Sequence, residues 1–249
     1  WTRTAPETVT TSARILQLPP LPDIPEPLRA RPLVAVDGAA LGGGAEALEL
    51  LGPLREVAEP IMDTWATIPP AGLMAIHMDP PGPVPGIGDH TMLSDLPDEA
   101  LAALVEVAGP GTGSPLLAAE LRHTGGALAR PADSAARLDG EYLLFGVGVP
   151  MDPALAEAIP QRLQALIGAL EPWSSGSVYL NFDERPGTAE RAYDPDVYAR
   201  LQEIRATYDT ATGRPLSFWI DVSTMMADEE HGIDVTDFVP AGAGTASST

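Results

Sequence analysis

The sequence predicts an α+β fold: one antiparallel sheet with helices packed mainly on one face. Three observations predict it. Strand patterns arrive in adjacent pairs instead of alternating singly with helices, each long helical pattern bears a one-sided apolar stripe, and 45% apolar residues in a chain of 249 suffice for a buried core.

The elements follow in order. "TTSARILQLP" and "PLVAVDGAAL" read as strands, joined by the proline-rich "PPLPDIPEPLRARP", a stiff excursion because proline lacks a ladder donor. "GGGAEALELLGPLREVAE" places Ala47, Leu50, Leu51 and Leu54 at helical spacing after a glycine-rich connection. Residues 61–90 are proline-rich and irregular, and so long a loop inside a compact domain is usually functional. A second helix follows in "SDLPDEALAALVEVAG", with Ser94 or Asp95 as its expected cap and Asp98 and Glu99 at the positive end of its dipole. "PLLAAELRHTGGAL" and "GEYLLFGVGVP" read as a strand pair. The third helix, "DPALAEAIPQRLQALIGALEPW", buries Leu155, Ile159, Leu163, Leu166, Ile167 and Leu170, and Pro160 is expected to kink or restart it. "SVYLNFDERPG" reads as a last strand running into a turn, and "DPDVYARLQEIRATYD" as a last helix bearing Val197, Leu201, Ile204 and Tyr208. The expected domain is 1–220, and residues 221–249 form an acidic tail expected to be poorly ordered.

Thirty-five acidic residues face 14 basic ones, all arginine, for a net charge of −21. Such a field repels phosphate backbones and anionic lipid, so neither nucleic acid nor a membrane is an expected partner. The absence of cysteine removes disulfides, thiolate zinc sites and thiol nucleophiles. No secretion pattern opens the chain, and the cytoplasm is the expected location. The start at Trp1, close to a strand pattern, reads like the middle of a longer protein.

Several segments carry candidate chemistry. "VAVDGAALGGGAEAL" has strand, glycines and helix in phosphate-binding order, but its spacing is not G-x-G-x-x-G and no lysine exists for a Walker loop. His77, Asp79, Asp89 and His90 lie close in sequence, yet their spacing matches no metal signature, and no metal is expected. In "AAELRHTGGAL", Glu120, Arg122 and Thr124 alternate with Leu121 and His123. One face is expected either to be a salt-bridged exterior or to lie under a ligand; in the second case Glu120, Arg122 and His123, with His77 from the loop, are the substrate-binding candidates. Tyr179 and Asn181, two apart on an expected strand, share a face while Val178, Leu180 and Phe182 take the other. They either solvate the sheet or hold something polar and flat.

The succession "LPDEALAALVEVA", "ELRHTGGAL", "GEYLLFGVGVPMDP", "YLNF" and "YARLQEIRATYD", behind the earlier "DPP" loop, resembles the carboxy-terminal half of berberine-bridge-enzyme-like FAD-linked oxidoreductases, of the vanillyl-alcohol-oxidase type, over roughly residues 10–209. The resemblance implies a substrate domain that covers a flavin held by a separate FAD-binding domain, present in cis or in trans. It places Tyr179 and Asn181, in a segment of about 176–220, near the isoalloxazine as cofactor-binding residues. Three departures stand out. The half that binds the ADP part of FAD is missing. A family ending like Y-D-P-x-N-x-F-R-x-N is replaced after Tyr208 and Asp209 by "TATGRPLSFWI", with Thr212, Ser217 and Trp219 near those places. Where some members carry a carboxylate base, this chain has Phe145, Gly146, Val147 and Gly148. His90 and Tyr179 are then the candidate catalytic residues. The implied activity is oxidation of a small organic substrate by hydride transfer to FAD, in a larger or split enzyme. The alternatives are a stand-alone small-molecule binding or sequestration protein, and a non-catalytic interaction domain that has lost the flavin domain.

Overall fold

Alternating apolar side chains draw Val9–Gln17 (β1) and Pro32–Ala40 (β2) into an antiparallel pair in which Ser12 faces Asp37 and Ile15 faces Val34. The computed structural model describes residues 1–212 apart from 23, 30, 80, 81, 83, 132–137, 186 and 187. The acidic tail, Ser217, Trp219 and the prolines of the "DPP" loop lie outside the described residues. After β2 come helix Gly44–Val57 (α1), strand Ile87–Leu93 (β3), helix Asp98–Ala108 (α2), strands Ala118–His123 (β4) and Tyr142–Gly148 (β5), then helices Pro153–Leu170 (α3) and Pro195–Thr212 (α4). The strands form one sheet in the order β2-β1-β4-β5-β3, antiparallel at every pairing.

One sheet face is filled by α2 and α3. Leu104 and Ala108 of α2 and Ile159, Leu163, Leu166 and Leu170 of α3 pack with Leu93, Ala119, Tyr142 and Leu144 of the sheet. Each large apolar side chain buried there is worth about 1.5–3 kcal/mol, which fixes the layer firmly. Close approach explains the glycines of "FGVGVP". A Cβ on Gly146 would sit 2.7 Å from Leu163 Cδ2, and one on Gly148 2.7 Å from Ile159 Cγ1, so α3 lies directly against β5. Asp152 caps α3 by accepting the Leu155 N–H at 2.8 Å, and the helix runs through Pro160 without the expected restart. The N-cap of α2 is Pro97, not Ser94 or Asp95: its backbone is extended and its carbonyl accepts from the Ala100 and Leu101 N–H groups at 3.0 and 3.1 Å.

Two strand expectations are corrected. Residues 87–90, read as the end of an irregular loop, begin β3; from His90 to Leu93 the strand is buried on both faces, so no polar and apolar alternation marks it. Conversely, among the described residues, 176–185 hold no strand: the chain bridges β3 once, at Leu93 and Ser174, then winds into a 3₁₀ turn over Leu180–Phe182. Five strands are present among the described residues, but not the five the sequence predicts.

Candidate functional site

Residues directly opposite in an antiparallel ladder share a face. The register therefore lines up Asp37 with Ser12, Ser12 with Arg122, Arg14 with Glu120, Glu120 with Phe145, and Phe145 with His90, all on the face away from α2 and α3. Arg14 donates to Asp37 Oδ2 at 2.5 Å, and the Ser12 hydroxyl donates to Oδ1 at 2.7 Å. Arg122 donates from Nε to Glu120 at 2.5 Å.

The proline-rich loop joins this row. Just past its 3₁₀ turn, Pro70–Ala75, His77 puts Nδ1 3.5 Å from Asp37 and Nε2 3.5 Å from Glu120. One imidazole thus spans carboxylates from β2 and β4. Asp37 first and Glu120 second push its pKa up to about 9, against the opposing effect of burial. Burial by itself raises both carboxyls. Hydrogen bonding from His77 and Ser12, with the Arg14 charge, overcomes it at Asp37, and His77 with Arg122 overcomes it at Glu120, so both stand below their ordinary values. At neutral pH two carboxylates and three cations form one connected row, locally positive by one charge in a chain of net −21. Glu120 is 3% exposed, which is tolerable for a carboxylate only because both neighbours are cationic. Met78, next to His77, holds φ at 56°, an uncommon backbone region for a side-chain-bearing residue and one that clusters at functional sites.

The row ends in aromatic rings. Phe145 stacks on Phe182 with centroids 4.2 Å apart, Tyr179 meets Phe182 edge-on at 5.3 Å, and the Arg122 guanidinium carbon lies 4.9 Å from the Phe182 centroid. Gly88 makes room, since a Cβ there would approach the Phe145 ring to 2.8 Å. The 3₁₀ turn decides who faces whom: it brings residues three apart to one side, so Phe182 joins Tyr179, while Val178 and Leu180 pack with Ala192, Tyr193, Val197 and Leu201. This corrects the expectation that Phe182 anchors with Val178 and Leu180. Asn181 Nδ2 still donates to the Tyr179 hydroxyl, at 3.3 Å, through the turn and not across a strand face.

His90 is in β3, not in a loop, and is fully buried. Its Nε2 accepts the Tyr179 backbone N–H at 2.8 Å, so the lone pair a general base needs is already used. Burial pushes its pKa down. His123 departs from the expected substrate-binding group. It lies on the helix-bearing side with its ring 5.4 Å from Tyr142, while His77, Glu120 and Arg122 converge. Of the four residues considered for a metal, three are engaged separately: His77 faces the carboxylates, His90 holds Tyr179, and Asp89 meets Arg185 at 3.5 Å. At the glycine-rich connection, Glu46 Oε2 lies 3.7 Å from where a Gly42 Cβ would stand, so a carboxylate already occupies the approach to the α1 amino end.

Asp37, Arg14, Ser12 and Phe145 were not foreseen as site residues. The signals were an acid inside the apolar "PLVAVDGAAL" and the period-two placement of Ser12 and Arg14, but only strand order puts them beside Glu120.

No helix among the described residues is long and apolar enough to cross a membrane. No curated protein matches the chain by sequence. Residues 191–240 match a family of unknown function (DUF6174), which takes in α4 and continues beyond the described residues. Solved structures with a similar fold include 6-hydroxy-D-nicotine oxidase from Arthrobacter nicotinovorans, at 18% identity and TM-score 0.60, covering 82% of this chain and 46% of that one. BBE-like 1 of Physcomitrella patens matches at 15% identity and TM-score 0.57, over 81% of this chain and 44% of its own. Aclacinomycin oxidoreductase matches at 17% identity and TM-score 0.58, over 79% and 44%. The chain thus shares an α+β fold with part of each of these structures, and spans less than half of their length.

Proposed function

We propose that this chain is the substrate-binding, flavin-covering part of an FAD-linked oxidoreductase acting on a small organic substrate, with an FAD-binding domain supplied in cis or in trans. The observation that carries the reading is the charged and aromatic face opposite α2 and α3, on a fold shared with part of a solved oxidase. The residues fit the ring and not the diphosphate. Tyr179 and Asn181 offer a phenol and an amide for a polar ring edge, and Arg122 over Phe182 offers a cationic aromatic surface. The α1 amino end, with Glu46 beside its glycines, offers phosphate nothing. FAD, when bound, supplies the hydride acceptor. The chain's own residues orient and enclose: His77, Asp37 and Glu120 fix the loop on the sheet, and Tyr179 stands as the group able to exchange a proton with a substrate hydroxyl. His90 acts through Tyr179, since its acceptor nitrogen is engaged.

A second reading, a stand-alone small-molecule binding protein, draws support from the pairing of the charges within the chain itself, which leaves the face stable without a partner domain. Two measurements separate the readings. The chain is incubated with FAD, desalted and examined by absorbance and intact mass; a stoichiometric visible band means this part holds the cofactor alone. Riboflavin, the ring without the diphosphate, is then titrated against the chain. Saturable quenching of its fluorescence, weakened by Phe182→Ala, is expected, and a colourless protein that also fails to quench riboflavin overturns the flavin reading.

A further inference from the structure

β3 is the last strand of the sheet, and its free edge is covered by the segment that follows α3. At first the cover is ordinary backbone pairing: the Ser94 N–H donates to Trp173 O and the Ser175 N–H to Met92 O, both at 2.9 Å, while the Thr91 and Ser174 hydroxyls meet at 2.9 Å. Further along, the Tyr179 N–H finds no carbonyl and donates instead to the His90 ring at 2.8 Å. A side chain whose lone pair can be titrated stands in for a backbone acceptor.

We propose that His90 is a positioning residue and an acid-sensitive latch: its neutral imidazole holds the Tyr179–Phe182 turn on the edge of β3, and a proton taken up at Nε2 releases that turn. The inference touches the flavin reading only in that the released turn carries Tyr179 and Asn181; the latch itself rests on the chain's own hydrogen bonds.

The backbone amide can only donate, so Nε2 must be bare and Nδ1 must carry the ring proton. Nδ1 is buried without a partner of good geometry, the Phe182 backbone giving the charged form only its weakest support. A second proton would set two donors against each other in a dry site. Burial opposes it most. Asp183, from the turn, and Asp89, on β3 itself, favour the proton, and Arg185 opposes it. Asp183 is itself held by Arg185 at 3.2 Å and by the Thr188 hydroxyl, and Glu184, beside Asp89, is pushed by burial and by that neighbour toward its neutral form. The closed imidazole therefore resists protonation at pH values where a released one, near 6.5, accepts it. Below that value the released population grows by up to about tenfold per pH unit until the closed form also titrates. Release lifts Phe182 off Phe145 and Arg122 and uncovers the aromatic end of the charged row.

The full chain tests this without any flavin. Histidine-selective ¹⁵N spectra at about pH 7 should place His90 in the Nδ1–H tautomer, and hydrogen exchange, corrected for its intrinsic pH dependence, should show protection over 176–185 falling by up to about tenfold per unit toward about pH 5. Protection over 142–148 should stay constant. In His90→Gln, whose amide oxygen accepts the same N–H but does not titrate, protection over 176–185 should not change with pH. An Nε2–H or cationic His90 at neutral pH, equal protection at both pH values, or joint opening of 142–148 with 176–185 overturns the latch. If the glutamine variant does not fold, the wild-type tautomer and pH series decide alone.

Discussion

Replacing His77 by glutamine removes a group that ties the proline-rich loop to carboxylates on two strands, and the structure sets the sign and size of the effect. A pKa raised from 6.5 to about 9 means that folding favours the imidazolium. Its contribution is complete below pH 6.5 and is lost as the pH rises through about 9. At about 1.4 kcal/mol per pKa unit, a fully dehydrated site would contribute roughly 3 kcal/mol. With 25% of the side chain exposed, solvent screening reduces this. About 1–2 kcal/mol is expected. Urea unfolding of the wild type between about pH 6 and pH 10 should thus show a midpoint that declines on the alkaline side, while His77→Gln starts lower and stays flatter there. A histidine Cε1–H titration gives the pKa directly. If His77 titrates near 6.5, or the variant retains the full alkaline decline, the clasp does not hold the loop.

Glu120→Gln keeps the shape of that carboxylate but leaves Arg122 and His77 short of a partner. A loss of about 1–3 kcal/mol in denaturant unfolding is expected, together with a His77 pKa moved back toward 6.5. Phe182→Ala removes both the stacked partner of Phe145 and the ring beneath Arg122; from a partly exposed site it should cost about 2 kcal/mol, read in the same assay, and leave α2 and α3 intact by far-ultraviolet dichroism. Gly148→Ala drives a methyl to within 3 Å of three Ile159 side-chain carbons, and about 1–3 kcal/mol of thermal or denaturant stability should be lost; an unchanged midpoint would mean that α3 can slide.

The amino-acid sequence by itself determined the fold class, the two helices that fill one face, and the set of polar residues on β4. Those features rest on local periodicity, 3.6 residues for a helix and two for a strand, which needs no knowledge of neighbours. It also singled out His77, Glu120, Arg122 and Tyr179. What only the tertiary structure decided is which of these residues meet. Strand order β2-β1-β4-β5-β3 carries Asp37 and Arg14 to Glu120, and a loop contact brings His77 to both carboxylates, across sequence separations that no periodicity encodes. The same reason explains the misplaced strand. "IGDHTML" pairs because β5 offers it a full ladder, whereas "SVYLNF", though richer in strand-forming residues, finds on its side of β3 a buried imidazole where a carbonyl would have continued the sheet. The tertiary partner, not the propensity of the segment, settled both.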